Sequence, residues 1–175
     1  MTIKLRQHQS QLNQVIDGII QGSQKYKNIR KIILSVVAGG GKGSVPVNVG
    51  KLYNAGLIDS ICCIVPRTSL QTQCEEVCMN DFFKKLFEVN ISIRASTNER
   101  SPCRGQHGFV TTYQAIGVDK NKYVLSEIKK KRYCVILDEP HHCAVDSPWH
   151  LALEKIIKNA EFVIMMSGTL SRADK

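Results

Sequence analysis

One segment constrains this chain more than any other: Tyr133 to His142, YCVILDEPHH. Its apolar residues Tyr133, Cys134, Val135, Ile136 and Leu137 follow a basic stretch and stop at two carboxylates. This is the pattern of a strand buried on both faces in a parallel sheet. In an open α/β sheet, ligands sit at the carboxyl ends of the strands, so Asp138 and Glu139 stand where chemistry is expected. Adjacent acids can divide labour around a metal-bound phosphate: Asp138 holds the metal, usually through water, and Glu139 orients or deprotonates an attacking water. Pro140 lacks a backbone donor and biases Glu139 away from helical geometry. The chain therefore leaves the strand in a fixed loop that presents His141 and His142 beside the acids.

Acids also end strands simply by being soluble, so the pair takes its meaning from two matching turns elsewhere. Lys31 to Val37, KIILSVV, reads as a first buried strand that runs into Ala38-Gly39-Gly40-Gly41-Lys42-Gly43-Ser44. Gly39, Gly40 and Gly41 let backbone N–H groups close around phosphate oxygens. Lys42 supplies charge for the outer phosphates, and the following helix aims its positive end at the same place. The usual ending puts a magnesium-binding hydroxyl directly after the lysine. Here Gly43 holds that position, and Ser44 follows one residue late, about 100° further round a helix. Downstream, Phe162 to Met166 reads as the last strand and ends in Ser167-Gly168-Thr169-Leu170.

The intervening chain alternates strand and helix. Leu12, Val15, Ile16, Ile19 and Ile20 form one helical face. Just ahead of it, in Leu5-Arg6-Gln7-His8-Gln9, the Gln9 amide can match the donor and acceptor edge of adenine with Arg6 in support. A second strand, Ile61 to Val65, leads into Pro66-Arg67-Thr68-Ser69-Leu70. There Thr68 and Gln71 have capping-box spacing for the next helix, and a helix start beside Arg67 suits a phosphate. Val89 to Ile93 predicts a third strand, the polar stretch that follows to His107 a surface loop, and Phe109 to Thr112 a fourth strand. Asn121 to Arg132 predicts a helix whose basic cluster suits its C-terminal end. Ser147-Pro148 starts a helix with Trp149, Leu153, Ile156, Ile157 and Ala160 on one face, so Trp149 is expected in the core or an interface. About six strands with long crossovers predict a doubly wound, mostly parallel α/β sheet with helices on both faces, spanning 1–175 as a single domain.

Composition narrows the partners. A chain of 175 residues with 43% hydrophobic and 22% charged residues is expected to fold as a globule, and a net charge of +9 suits a polyanion such as nucleic acid. No run nears the roughly 18 apolar residues of a membrane span, and the polar first residues do not read as a signal peptide. A cytoplasmic protein without a membrane partner is the expectation. The seven cysteines, spread through strands and helices, read as reduced thiols. Cys74 and Cys78 have one-turn spacing that could share a metal with Cys103 or Cys143, but with Leu70 and Val77 they also make an ordinary apolar stripe.

Taken together, LRQHQ, GGGKGS, VPRTSLQTQ, TTYQA, DEPHH and SGTL resemble, in that order, the Q motif and motifs I, Ia, the next nucleic-acid motif, II and III of superfamily two helicases and translocases of the DExH type. The resemblance covers the first RecA-like domain and nearly the whole chain, with restriction- or phage-associated members as the nearest kind. It implies ATP and Mg2+ as cofactors and nucleic acid as partner, DNA ahead of RNA. It assigns Arg6, Gln9 and the loop from Gly39 to Ser44 to the nucleotide, Lys42 to the outer phosphates, Asp138 to magnesium and Glu139 to water. His141 would link the nucleotide site to Ser167, Gly168 and Thr169, while Arg67, Thr68, Thr111 and Thr112 would face the nucleic-acid backbone. In this family hydrolysis takes place between two RecA-like domains, the second supplying arginines to the transferring phosphate. The expectation is a nucleotide-binding half-motor that needs a second domain in cis or in trans. The competing expectation is a non-catalytic nucleotide- or nucleic-acid-binding module of the same fold. A phosphate-loop kinase or transporter ATPase lacks its accompanying signatures here.

Overall fold

The computed structural model describes residues 5–37, 39–96, 98–118, 122–142 and 147–168. Six strands, β1 (Lys31–Ser35), β2 (Ser60–Val65), β3 (Ile93–Ala95), β4 (Gly108–Thr112), β5 (Tyr133–Asp138) and β6 (Phe162–Ser167), form one sheet in the order β1-β6-β5-β2-β4-β3. Every pairing is parallel, so all the strands end at the same edge. The crossovers are carried by helices α1 (Gln7–Ile20), α2 (Val45–Asn54), α3 (Thr68–Met79), α4 (Asp81–Phe87), α5 (Tyr113–Gly117), α6 (Tyr123–Lys130) and α7 (Pro148–Asn159). The doubly wound α/β architecture expected from the alternation is the one observed.

Strand alternation divides the core in two. Cys63, Val65, Cys134, Ile136, Ile164 and Met166 face one side, where α1, α2, α3 and α4 pack. Cys62, Ile64, Val135, Leu137 and Val163 face the other, under α5, α6 and α7. β5 is buried along its whole apolar run, as its composition requires. Trp149 packs against the second cluster, as its place on the apolar face of α7 predicts.

Three local expectations need correction. Among the described residues β1 is an edge strand with β6 as its only neighbour in the sheet, so Ile33 and Val37 are 66% and 70% exposed rather than buried. The third strand begins at Ile93, because Val89 and Ile91 turn into the core against Gly50 of α2 instead of entering the ladder. The capping box at Thr68 and Gln71 does not form. Gln71 is buried, and its amide donates to the carbonyls of Ser96 and Val110 at 2.9 Å each, tying α3 to β4 and to the end of β3.

On the second face, α5 and α7 meet through a glycine. A Cβ at Gly117 would fall inside the van der Waals envelope of the Trp149 indole. Gly117→Ala is therefore expected to cost about 1–3 kcal/mol, as overpacking of a filled core does. Thermal unfolding measures it: a drop in Tm that vanishes in a Trp149→Ala background supports the contact, and an unchanged Tm refutes it.

Candidate functional site

A cleft of about 380 Å³ opens at the carboxyl edge of the sheet, lined by Gly39, Gly40, Gly41, Lys42, Asp138 and Glu139, with Cys63, Leu70 and Cys74 along its floor and far wall. The glycine loop has the backbone its sequence demands. Gly39 and Gly41 lie at φ +74° and +91°, where residues with a Cβ are strained. At Gly40 a Cβ would come 2.5 Å from Val36 Cγ1 and 2.7 Å from the Val37 carbonyl oxygen, so that position is closed to any side chain. Lys42 opens a 3₁₀ turn, Lys42–Ser44, that runs directly into α2. The positive end of that helix therefore faces the loop.

The loop and the tip of β5 meet through charge. The Lys42 ammonium is ion-paired with Glu139 and lies 3.8 Å from Asp138 Oδ1, all three side chains being mostly buried. Glu139 has a left-handed backbone at φ 51°, and its N–H donates to the Met166 carbonyl, which locks the tip of β5 onto β6. Its carboxylate accepts from the Gly168 N–H at 3.1 and 3.2 Å. Burial alone would raise the Glu139 carboxyl, but the Lys42 hydrogen bond, the Gly168 N–H, the Lys42 charge and the Ser167 hydroxyl together hold it below the usual range. The stability it contributes is therefore complete above the ordinary carboxylate pKa and is lost as the pH falls through the lowered one.

His141 completes the link. Its Nδ1 lies 3.4 Å from Glu139 Oε2 and 3.4 Å from Ser167 Oγ, so the acids and the Ser-Gly turn form one polar network. Thr169 lies outside the described residues. A contact invisible in the sequence supports the acids from behind: the Tyr113 hydroxyl donates to the Asp138 carbonyl at 2.9 Å.

The start of α1 reaches the same loop. Arg6 donates to the Gly39 carbonyl at 2.8 Å, and Gln9 Oε1 accepts from the Arg6 N–H at 3.0 Å. The other end of the Gln9 amide donates to Ser44 Oγ at 2.9 Å, and Ser44 in turn donates to the Gly41 carbonyl at 3.0 Å. Ser44 is buried and does not line the cleft, so its hydroxyl braces the loop from beneath. Gly43 does line the cleft, and a Cβ there would meet Val77 of α3 at an ordinary 3.4 Å.

Of the residues expected at a nucleic-acid backbone, Arg67 and Thr68 are exposed at the start of α3. Thr111 is wholly buried in β4, and the Thr112 hydroxyl accepts from the Ala115 N–H at 3.1 Å as the cap of α5. Sequence reasoning also missed the far wall of the cleft, where Cys63, Gln73 and Cys74 stand, because no local signal marks it.

The residues present fit a magnesium nucleotide. The loop offers backbone donors and a cation, and Asp138 offers a hard oxygen beside them. No group of three or more His, Cys, Asp and Glu among the described residues is arranged to hold a metal.

The model of the family described as "Type III restriction enzyme, res subunit" matches residues 2–172. Among solved structures, the UvsW helicase from bacteriophage T4 superposes with a TM-score of 0.62 at 19% identity, covering 97% of this chain and 54% of that one. A second T4 UvsW structure gives 0.62 at 20% identity, covering 97% and 31%. A nuclease-deletion mutant of the type ISP restriction-modification enzyme LlaGI, in complex with a DNA substrate mimic, gives 0.60 at 14% identity, covering 95% and 18%. The chain thus spans about half or less of the solved chains it matches. No curated protein is significantly similar in sequence. With a family match that runs almost from end to end, and a RecA-like helicase fold that carries the expected loop and acid pair in one cleft, the chain belongs to the type III restriction enzyme res-subunit family of superfamily two.

Proposed function

We propose that the chain is the nucleotide-binding motor domain of a helicase or translocase, using ATP with Mg2+ to drive movement on nucleic acid, DNA ahead of RNA. The observation that carries this reading is Lys42 held between Asp138 and Glu139 across a glycine-lined cleft. A cation on a phosphate loop, facing two acids at the tip of β5, is what phosphoryl transfer to water requires. The lysine is neutralised by Glu139. A bound triphosphate competes for that ammonium and releases the carboxylate to its own task.

Bound magnesium would supply charge neutralisation on the phosphate oxygens, with Asp138 as its protein ligand. Glu139, held by the Gly168 N–H, positions the water and accepts its proton. His141 and Ser167 carry the state of Glu139 to the end of β6. Arg67 and Thr68 present a cation and a helix start to a phosphate backbone, and α3 runs from them to the phosphate loop, where Val77 lies against Gly43. Lys42 is the only cation lining the cleft among the described residues. Charge on the transferring phosphate is completed by arginines from a second RecA-like domain, a contribution of about a thousandfold or more.

Titration of a fluorescent ATP analogue tests the site. Lys42→Ala is expected to weaken binding by about tenfold or more, since a charge-assisted contact to phosphate is lost. Equal affinity for the two proteins would remove the loop from the phosphate site.

Gly43→Ser is expected to strengthen magnesium-dependent binding of the analogue, because the position faces the cleft, has room for a Cβ and regains the usual hydroxyl, while Ser44 stays committed to Gln9 and Gly41. No gain in a folded variant would mean that the metal needs no ligand from this position.

The 175-residue chain on its own is expected to bind nucleic acid weakly, with affinity falling steeply as salt rises, and to hydrolyse ATP near background. Addition of a second RecA-like domain should raise turnover by orders of magnitude. Robust nucleic-acid-stimulated hydrolysis by a monomer of the isolated chain would refute the need for that domain. Turnover that stays at background with the second domain present would favour a non-catalytic binding module.

A further inference from the structure

The positive charge of the chain does not gather at the cleft. Against a net charge of +9, the cleft is lined by one cation among the described residues, Lys42, and that cation is paired with Glu139. The parallel ladder that brings the strand tips to the cleft also brings the strand starts, and the C-terminal ends of the helices before them, to the opposite edge of the sheet. There, between β1 and β5, cations collect from four separate stretches. Lys25, Lys27 and Arg30 lie in the turn after α1, Lys31 opens β1, Lys129 to Arg132 close α6 and lead into β5, and Lys158 closes α7. All nine are exposed.

Three carboxylates stand among them, and each is engaged. Arg132 donates to Asp59 at 2.8 and 3.2 Å and to the Gly56 carbonyl at 2.9 Å. Glu127 pairs with Lys131 at 3.2 Å, and Glu161 lies 3.7 Å from Arg30, whose guanidinium sits over the Phe162 ring at 5.0 Å. Nine cations against three acids leave six lysines, Lys25, Lys27, Lys31, Lys129, Lys130 and Lys158, with no carboxylate partner among the described residues. A helix C-terminus favours a cation, which accounts for Lys129, Lys130 and Lys158. It does not account for Lys27, in a turn, or Lys31, on a strand. The strand starts hold the groups at fixed spacing: the Val163 N–H donates to the Arg30 carbonyl at 2.8 Å and the Glu161 N–H to the Tyr133 carbonyl at 2.9 Å. With only β6 between them, β1 and β5 begin about 10 Å apart. On the second face α6 and α7 pack together, so their last turns end side by side.

We propose that this edge is a nucleic-acid backbone surface, separate from the one expected at Arg67 and Thr68, which holds the phosphates of a duplex through its six uncompensated lysines and does not read sequence. Arg67 follows the carboxyl end of β2, so the two surfaces lie at opposite edges of the sheet. Phosphate contacts position a duplex without carrying sequence information, and a point charge on a flexible stem suits them. The composition favours nucleic acid over an acidic protein, because protein interfaces are depleted of lysine and enriched in aromatic residues and arginine. Here both arginines are committed to carbonyls and carboxylates, and lysines are what remain. A surface on this edge is free to hold nucleic acid while the cleft is filled. Its value to a motor, as a hold on the track that persists while the cleft changes state, rests on the nucleotide reading given above; the binding itself does not.

The test measures binding of the full chain to a short fluorescein-labelled duplex of arbitrary sequence, by anisotropy over a range of potassium chloride concentrations. Two double variants remove charge from different stretches, Lys129→Gln with Lys130→Gln and Lys27→Gln with Lys31→Gln. Each is expected to weaken binding about tenfold at low salt and to lower the slope of log affinity against log salt by about two, one for each lost phosphate contact. The matching Lys→Arg pairs should keep both. An unchanged slope in both Gln pairs would overturn the proposal, as would a loss confined to Arg67→Gln. In the unsubstituted protein, lysine acetylation mapped by mass spectrometry should show Lys31, Lys129 and Lys130 protected by the duplex; protection confined to other lysines would overturn the proposal with no variant needing to fold. Lysine-dependent binding to vesicles of anionic lipid, with none to the duplex, would assign the edge to a membrane and overturn it too. A chain that binds no ATP analogue yet keeps the lysine-dependent slope would count against the nucleotide reading and leave this surface standing.

Discussion

The parallel ladder is the constraint on which the rest of the structure depends. Since β1, β6, β5 and β2 all run the same way, every crossover must travel back the length of the sheet, and every strand delivers its last residue to one edge. Groups far apart in the chain thereby arrive together. The glycine loop leaves β1, the acids leave β5, the Ser-Gly turn leaves β6 and Arg67 follows β2. The same geometry leaves polar groups at that edge without ladder partners, and they are satisfied by the site itself, as when the Glu139 N–H reaches the Met166 carbonyl.

Charge then decides which of these neighbours touch. Lys42 is drawn to the acids because a mostly buried ammonium needs a counter-charge, and Glu139 accepts it while also held by the Gly168 N–H. The cleft is therefore internally compensated, with the Glu139 carboxylate and the Lys42 ammonium paired to each other. On the opposite side of the loop, a second support is built from neutral hydrogen bonds that run from Gln9 through Ser44 to Gly41. The residue that comes one position late in the phosphate motif thus has a structural task. The loop is clamped from α1 and from β5.

The limits of legibility follow from the range of the forces. The fold class, the buried run of β5, the glycine loop and the acid pair are local patterns, and each could be read from a few consecutive residues. Gln71 could not: its spacing from Thr68 matched a cap, but tertiary burial against the Ser96 and Val110 carbonyls outweighed a bond available at the helix start. The surroundings of Thr111 and Thr112 were not legible for a related reason, since a hydroxyl in sequence does not disclose whether it faces solvent, core or a helix N–H. The exposure of Ile33 and Val37 depends on which strand takes the sheet edge, a property of strand order that an apolar run does not carry.

The sequence by itself determined the alternation of strands and helices, the phosphate loop after the first strand and the two carboxylates after the fifth, because hydrophobic period and glycine and proline chemistry act over a few residues. Only the tertiary structure decided that Lys42 rests against Glu139, that Ser44 is spent on Gln9 instead of facing the cleft, and that Cys63 and Cys74 both line its wall. Each of those contacts joins separate elements. It is fixed by strand order and by how closely α1 and α3 pack against the sheet, and no window of consecutive residues contains that information.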